Sequence, residues 1–312
     1  MNVLVVGFGN MGCRHTQSLI EKYPENKYFI VEPNKDVYEC NIKKIDVLYN
    51  RLFYYDDILS LPDNIDFAVI ATSAFPRYKI TQALIGKGVK YFLLEKIVFQ
   101  SEQQFDEITN LLRMNDCLAY CNFVNRYFPN YIEIKNSFIQ GSPMKMIVSG
   151  SDFGLGCNAL HYVDLFEYIT SSRVQLTSSK LVENLKPNRR GSIYKELLGQ
   201  IIFTSRNGDT LIISADENRV GGNEIVILHN NNYDILNEES RTHVHYSEKK
   251  GVVRKEFKIL YTSFLTGVIY NDIIHGKSLL PNIEFVKSSH IEFFKAANAA
   301  FGLSDIDLCP LT

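Results

Sequence analysis

The stretch that decides the fold is residues 1–19, MNVLVVGFGNMGCRHTQSL. Residues 2–6 are a short apolar, β-branched run bounded by glycine, which is typical of a buried strand. The pattern then changes to helical spacing, which Pro24 ends. Three glycines lie between the predicted strand and helix: Gly7, Gly9 and Gly12. A lone G-x-G-x-x-G is a weak signal, so its meaning depends on the rest of the chain.

The first 121 residues alternate strand-like and helix-like segments. Helical stretches near 76–87 and 101–115 separate some of the apolar runs, and the runs are KYFIVE (27–32), IDFAVIAT (65–72), VKYFLLE (89–95) and CLAYCNF (117–123). Strands and helices that alternate with short connections predict a parallel sheet covered on both faces. We therefore predict an α/β fold with a Rossmann domain over residues 1–121.

The glycines acquire a function in this context. Glu32 ends the second predicted strand twenty residues after Gly12, which is the spacing of the dinucleotide fingerprint. Gly7 permits the tight turn, Gly9 lets the backbone approach the pyrophosphate, and the first helical turn with Asn10 and Met11 faces the phosphates. A Glu32 carboxylate would accept hydrogen bonds from the adenosine ribose and repel a 2′-phosphate. The prediction is NAD rather than NADP, although FAD-binding proteins share the fingerprint.

Ligands bind beyond the carboxyl ends of the strands in such a sheet. Thr72 and Ser73 lie at the carboxyl end of one predicted strand and are further candidates for cofactor binding, as are Glu95 and Lys96 at the carboxyl end of the next one. A lysine at this position can hydrogen-bond a substrate hydroxyl and take its proton as hydride leaves. A solvated lysine at a strand end is the alternative interpretation.

The composition excludes several classes of protein. Hydrophobic residues make up 46% of the 312 residues and charged residues 22%, with a formal net charge of −2, so neither nucleic acid nor an anionic membrane is an expected partner. The six cysteines form no C-x-x-C pair, so we predict no metal site and reduced thiols. No apolar run is long enough to span a membrane and the N-terminus lacks a basic region, so we expect a cytoplasmic protein.

The second half has a different character. Residues 158–170, NALHYVDLFEYIT, carry apolar residues at helical spacing, and β-rich runs separated by Asn- and Gly-containing turns follow them. Two helical stretches, near 255–274 and 284–301, end the chain. We predict that residues 122–312 form an α+β domain with a large, mostly antiparallel open sheet.

Taken together, five motifs resemble the glucose–fructose oxidoreductase / inositol dehydrogenase (Gfo/Idh/MocA) family. They occur in family order over both domains: GFGNMGCRH, ATSAFPRY, EKIV, NFVNRYFP and CNALHYVD. The resemblance implies that Lys96 contacts the reacting hydroxyl and the nicotinamide ribose, and that His161 is an acid/base. Asp164, at i+3 from His161, would orient the imidazole or face solvent. Two departures, Ile97 for the usual proline and Cys157 for a frequent acidic residue, leave room for altered activity.

The resemblance also implies where the substrate and partner subunits bind. In that family, the substrate lies on the open face of the second domain's sheet. The candidate lining residues in this chain are Asn122, Arg126, Asn158, His161, Arg189 and Arg190. If the two adjacent arginines bind an anion, an acidic or nucleotide-linked sugar is favoured over a free polyol. Relatives associate through the outer surface of that sheet, so a homodimer or homotetramer is expected.

Three functions remain open from the sequence. The first is an NAD-dependent sugar or nucleotide-sugar oxidoreductase, for which the resemblance suggests a role in bacterial surface-sugar biosynthesis. The second is a sugar-cleaving enzyme that recycles its NAD, and the third is a non-catalytic dinucleotide-binding regulator. Net NADH production separates the first two, and an activity that depends on Lys96 separates both from the third.

Overall fold

The computed structural model describes residues 1–45, 50–186, 188, 190–249 and 251–312. The chain divides into two compact units. The first consists of residues 1–124 and 260–285, and the second of residues 125–259 and 286–312. The predicted division after residue 121 assigns 260–285 to the second domain, whereas its contacts lie with the first unit.

The first unit contains a six-stranded sheet whose neighbouring strands are all parallel, in the order β3-β2-β1-β4-β5-β6. Its strands are β1 (Asn2–Val6), β2 (Lys27–Val31), β3 (Leu52–Tyr55), β4 (Phe67–Ile70), β5 (Tyr91–Leu94) and β6 (Leu118–Cys121). Its helices are α1 (Asn10–Lys22), α2 (Lys35–Ile42), α3 (Ala74–Gly86), α4 (Glu102–Met114) and α7 (Thr262–Ile274). The predicted Rossmann architecture is confirmed.

The hydrophobic pattern explains this arrangement. All four residues of β4 are buried, as are four of the five in β1, because helices cover both faces of a parallel sheet. The chain reverses its direction of winding between β1 and β4, and ligands of such sheets bind at the carboxyl end of that reversal.

Helix α7 belongs to the first unit because it packs tightly on α1. A Cβ atom added at Gly267 would lie 2.9 Å from the carbonyl oxygen of Ser18. The Gly267 amide donates to the Ser18 hydroxyl at 2.9 Å, and that hydroxyl donates to the carbonyl of Phe264 at 2.9 Å. The two helix backbones therefore meet at a glycine, where no other side chain fits.

The second unit contains an eight-stranded sheet in the order β14-β13-β12-β11-β7-β10-β9-β8, in which only the β7–β10 pair is parallel among the described residues. Its strands are β7 (Met144–Gly150), β8 (Val174–Asn184), β9 (Glu196–Ser205), β10 (Thr210–Ala215), β11 (Glu224–His229), β12 (Asn232–Asn237), β13 (Thr242–Ser247) and β14 (Gly251–Glu256). Its helices are α5 (Pro129–Ser137), α6 (Leu155–Thr170) and α8 (Ile283–Ala300), of which α8 begins in the first unit. The large, mostly antiparallel sheet is confirmed.

One predicted helix begins later than expected. The helical spacing predicts a helix from about Lys255 to Ile274, but residues 251–256 form the edge strand β14 and the helix begins at Thr262. Val252 and Val253 have high β propensity and pair with β13. The partner strand therefore decides the conformation of this segment.

A polar cluster centred on Asp234 of β12 lies on the buried face of this sheet. The Asp234 carboxylate is hydrogen-bonded to His229 Nε2 at 2.8 Å, to His243 Nε2 at 2.7 Å and to His245 Nδ1 at 2.8 Å. Burial alone would raise the pKa of Asp234, but these three hydrogen bonds hold it well below its usual range. On the opposite face of β12, Tyr233 and Ile235 are exposed.

Candidate functional site

The glycine-rich turn between β1 and α1 is compact at two glycines and open at the third. Gly7 has φ +84°, and a Cβ atom there would lie 2.9 Å from the Thr72 amide nitrogen. A Cβ atom at Gly12 would lie 1.9 Å from the Gly7 carbonyl oxygen, so helix and strand approach as closely as backbone allows. A Cβ atom at Gly9 would meet nothing within 4 Å. Gly9 therefore leaves a free approach to the N-terminus of α1, which begins at Asn10 and has Met11 in its first turn.

Glu32, directly after β2, is hydrogen-bonded to the backbone of this turn. Its carboxylate accepts from the Phe8 amide at 2.8 Å and from the Asn34 amide at 3.1 Å. Asp56 and Asp57 add two further acidic side chains to the cleft of about 470 Å³ that Glu32 lines. The described residues lining this cleft are Val6, Gly7, Gly9, Val31, Glu32, Pro33, Asp56, Asp57, Ile58, Ala71, Thr72, Ser73, Pro76 and Ile80. The cleft is thus lined both by open backbone at Gly9 and by three acidic residues.

The loops after β4 and β5 are tied together by a buried arginine that the sequence analysis missed. Arg77 is 1% exposed, and its guanidinium donates to the carbonyls of Thr72 and Ile97 and, at 3.5 Å, to that of Val98. Thr72 and Ser73, both predicted to bind cofactor, line the cleft. The Thr72 hydroxyl is buried and has no hydrogen-bond partner in the described part of the chain.

Glu95 and Lys96 follow β5, and the peptide bond between Lys96 and Ile97 is cis. One Glu95 oxygen accepts from His15 Nε2 at 3.1 Å and from Asn122 Nδ2 at 2.6 Å. Burial alone would raise the pKa of Glu95, but these hydrogen bonds, with the charge of Lys96, lower it to about 2. Glu95, predicted to bind cofactor, is thus anchored by side chains of its own unit. Asn122, predicted to bind substrate, lies in this unit as well.

In the second unit, the best-formed ion pair joins Arg126 to Asp164. Arg126 donates through Nε at 2.9 Å and through a terminal nitrogen at 2.7 Å, one bond to each carboxylate oxygen, and both side chains are buried. Burial raises the pKa of Asp164, against the opposing effect of the Arg126 charge. Asp164 therefore does not face solvent, and its carboxylate is bound by Arg126 rather than reserved for orienting His161. His161 lies half-buried on α6, three residues before Asp164.

A cleft of about 520 Å³ in the second unit brings together two of the predicted substrate-binding residues, Asn158 and Arg190. Arg190 contacts the Cys157 sulfur at 3.5 Å, and the Asn158 amide donates to the Phe153 carbonyl at 2.7 Å. The described lining residues are Asp152, Phe153, Gly154, Cys157, Asn158, Asn184, Lys186, Asn188, Arg190, Glu196 and Thr312. Arg126 and His161 are not among the described residues that line it. The predicted Arg189 lies outside the described residues.

The residues of the glycine turn and its cleft match a known domain. Residues 1–123 match the GFO_IDH_MocA family model, described as "Oxidoreductase family, NAD-binding Rossmann fold". Residues 1–123 thus match the NAD-binding Rossmann domain of the Gfo/Idh/MocA oxidoreductases. The resemblance stated from its motifs is thereby confirmed. A comparison with curated protein sequences finds no significant match.

Several solved structures share the fold of both units. UDP-N-acetylglucosamine 3-dehydrogenase from Acidithiobacillus ferrooxidans has a TM-score of 0.71 at 14% identity, over 96% of this chain and 98% of that one. An oxidoreductase from Agrobacterium radiobacter, in complex with NAD+, L-tartaric acid and magnesium, has a TM-score of 0.76 at 12% identity, over 96% of each chain. A super-repressor mutant of Gal80p from Saccharomyces cerevisiae has a TM-score of 0.73 at 13% identity, over 97% of this chain and 96% of that one. At such identities the likeness establishes the fold alone.

Two negative findings concern the described residues. They contain no group of three or more His, Cys, Asp or Glu side chains arranged to hold a metal ion. None of their helices is long and apolar enough to cross a membrane.

Proposed function

We propose that this protein is a cytoplasmic, NAD-dependent oxidoreductase that transfers hydride between the nicotinamide and a sugar or nucleotide-sugar carbon bearing a hydroxyl or ketone. The observation that carries the proposal is the cleft at the carboxyl edge of the parallel sheet. It joins the open backbone at Gly9 to the carboxylate of Glu32. A pyrophosphate needs the former and a ribose diol the latter.

The acidic lining of the cleft supports NAD over NADP. Glu32, Asp56 and Asp57 all line it, and three carboxylates would repel the 2′-phosphate of NADP. Each Glu32 oxygen accepts one amide hydrogen bond but has further lone pairs for ribose hydroxyls. FAD shares the fingerprint, but the family is NAD-binding.

Bound NAD would supply the hydride acceptor, and the side chains of this chain would manage the proton. Lys96 is 7% exposed and follows β5 at the carboxyl edge of the sheet, where the resemblance assigns the contact with the reacting hydroxyl. His161 is the second candidate for proton transfer. An acid or base in such a role contributes roughly 10²- to 10⁴-fold to the rate.

The cleft in the second unit supports an anionic sugar as substrate. Arg190 can bind a phosphate or carboxylate through paired N–H groups, and the Asn158 amide can bind hydroxyls. Lys186 adds a cation at the same cleft, although Asp152 neutralises it at 3.0 Å. A nucleotide diphosphate sugar has both the charge and the hydroxyls, and one similar structure is a UDP-sugar dehydrogenase.

The test is turnover of NAD+ with a panel of free, acidic and nucleotide-linked sugars, by wild type and Lys96→Met. The exposed lysine Lys79, on α3, provides the matched control Lys79→Met. We expect NADH to accumulate with one class of sugar, a loss of at least about 100-fold in Lys96→Met and no loss in Lys79→Met. Sugar cleavage without net NADH would instead indicate a recycled cofactor. NADH binding without turnover would indicate a regulator.

A further inference from the structure

The end of α2 lies against the glycine-rich turn through a buried asparagine. Asn41 is 6% exposed, and its side-chain amide donates to the Phe8 carbonyl, inside the turn, at 2.8 Å. The Phe8 amide donates to Glu32 at 2.8 Å, and the buried Phe8 ring lies 5.5 Å from the ring of Tyr38 on α2. The turn is therefore held against α2 by hydrogen bonds and by ring packing.

The same asparagine brings a lysine to the N-terminus of α1. Lys44, two residues after the end of α2, donates through Nζ to Asn41 Oδ1 at 2.6 Å and to Asn10 Oδ1 at 3.4 Å. Asn10 is the first residue of α1 and directly follows Gly9, where the backbone is open. The Lys44 amine thus lies beside the first turn of the helix. Neither the glycine fingerprint nor the proposed function assigns a role to Lys44.

The positive charges at this point are unbalanced. Within the part of the chain that the structure describes, the Lys44 amine bonds two neutral amide oxygens and no carboxylate. The first turn of α1 has no acidic residue, and its free amides are the positive end of the helix dipole, which repels a cation. Burial raises the pKa of the Cys13 thiol on the same helix, and the charges of Lys44 and Arg14 oppose that rise. A bound anion would balance the charges that converge here.

We propose that Lys44 is a cofactor-binding residue whose ammonium group binds the pyrophosphate of NAD. This inference rests on the dinucleotide binding of the proposed function, and it adds a cation from beyond the second strand of the fingerprint to the backbone amides of α1. The Lys44 amine has three hydrogens, of which Asn41 and Asn10 accept two, so one remains for a phosphate oxygen. Its flexible stem also lets the amine exchange the long bond to Asn10 for a second phosphate contact.

The test is a calorimetric titration of the full chain with ADP-ribose, which has the pyrophosphate and adenosine of NAD but no nicotinamide to accept hydride. Lys44→Met should weaken binding about 10-fold at roughly 50 mM salt, because an exposed lysine loses its bond to a charged group. The difference should shrink to about twofold at roughly 1 M salt, where screening acts within about 3 Å. Lys44→Arg keeps the charge and should bind within about threefold of wild type. Lys43→Met removes the same charge from the neighbouring exposed residue and should bind like wild type.

The outcomes separate this inference from the proposed function. Wild-type affinity for ADP-ribose in Lys44→Met would overturn the inference, as would a loss that salt does not reduce or that Lys43→Met shares. Adenosine, which has no phosphate, should bind wild type and Lys44→Met equally, and an equal loss with adenosine would place Lys44 elsewhere than on the pyrophosphate. If ADP-ribose binding depends on Lys44 but no sugar is turned over, the proposed enzymatic activity fails and the lysine contact stands. If wild type does not bind ADP-ribose, the dinucleotide site fails and the role of Lys44 fails with it.

Discussion

Replacing Gly9 with alanine separates cofactor binding from folding, because Gly9 lies at an open approach to the helix whereas Gly12 is packed against backbone. At Gly9 the backbone has φ −68° and ψ −163°, which alanine adopts, and an added Cβ meets nothing within 4 Å. At Gly12 the same atom would lie 1.9 Å from the Gly7 carbonyl oxygen. Gly9→Ala should therefore fold normally and bind NADH poorly, whereas Gly12→Ala should lose stability.

The sizes follow from these contacts. Gly9 caps α1, where alanine is a poorer cap than glycine, but alanine also lowers the entropy of the unfolded chain, so Gly9→Ala should change the free energy of unfolding by less than about 1 kcal/mol. The methyl group would occupy the approach to the α1 amides and cost roughly one hydrogen bond to a charged phosphate. That is about 1.5–3 kcal/mol of binding free energy, or roughly 10- to 150-fold in Kd. Gly12→Ala forces backbone apart and should cost at least about 3 kcal/mol in stability.

The assay is a calorimetric titration with NADH beside a urea unfolding curve for each variant. Gly86→Ala, at the exposed end of α3 where an added Cβ also meets nothing, serves as the control and should bind NADH like wild type. Wild-type affinity for NADH in Gly9→Ala, or wild-type stability in Gly12→Ala, would disprove these separate roles of the two glycines.

Four further predictions concern single side chains. Glu32→Ala should weaken NADH binding about 10-fold and leave NADPH binding nearly unchanged, and an unaltered preference in titrations would reject its role. His161→Asn should lower kcat by roughly 10²-fold or more with the Kd for NADH within about twofold; a parallel loss of both would make His161 structural. The pKa of Asp234 is lowered in the folded state. Its carboxylate therefore stabilises the fold above the unfolded pKa of about 3.9, and this stabilisation is lost as the pH falls from there through the folded pKa. Asp234→Asn should accordingly cost about 2–3 kcal/mol near pH 7 and flatten the acid decline in urea titrations. Ile235→Lys, on the exposed face of β12, should lower the oligomeric order measured by light scattering, and an unchanged mass would exclude this face as the subunit interface.

The parallel sheet could be predicted because its central strands are continuous apolar runs between turn residues. The elements that were missed carry weak local signals. β3, with sequence LFYY, is a half-exposed edge strand, and β8 runs through the polar, exposed segment TSSK. Helix α2 starts at the Asn34 cap but buries only Asn41 among its described residues, so it lacks the apolar stripe that reveals a helix.

The site residues also differ in how they can be predicted, some from local spacing and others only from contacts between residues far apart in the sequence. Spacing identified the glycine turn and Glu32 because those residues act within one βαβ unit. The i, i+3 rule indicated His161 as a neighbour of Asp164, but Arg126, 38 residues away, takes both carboxylate oxygens because a bidentate pair is the stronger bond. The contacts of His15 span 80 residues to Glu95 and 251 to Thr266, distances that no local pattern encodes.

Residues 260–285 belong to the first unit but come late in the sequence, so the first unit cannot be completed until most of the chain has been synthesised. All six strands of the parallel sheet are synthesised well before α7 exists, so the nascent chain holds a sheet whose α1 surface near Ser18 is uncovered and whose His15 lacks Thr266. A message truncated before residue 260 encodes the whole nucleotide fingerprint without the helix that supports it. A chain that ends before α7 should therefore expose the surface of α1 that α7 covers in the folded protein, and such exposed surface favours aggregation.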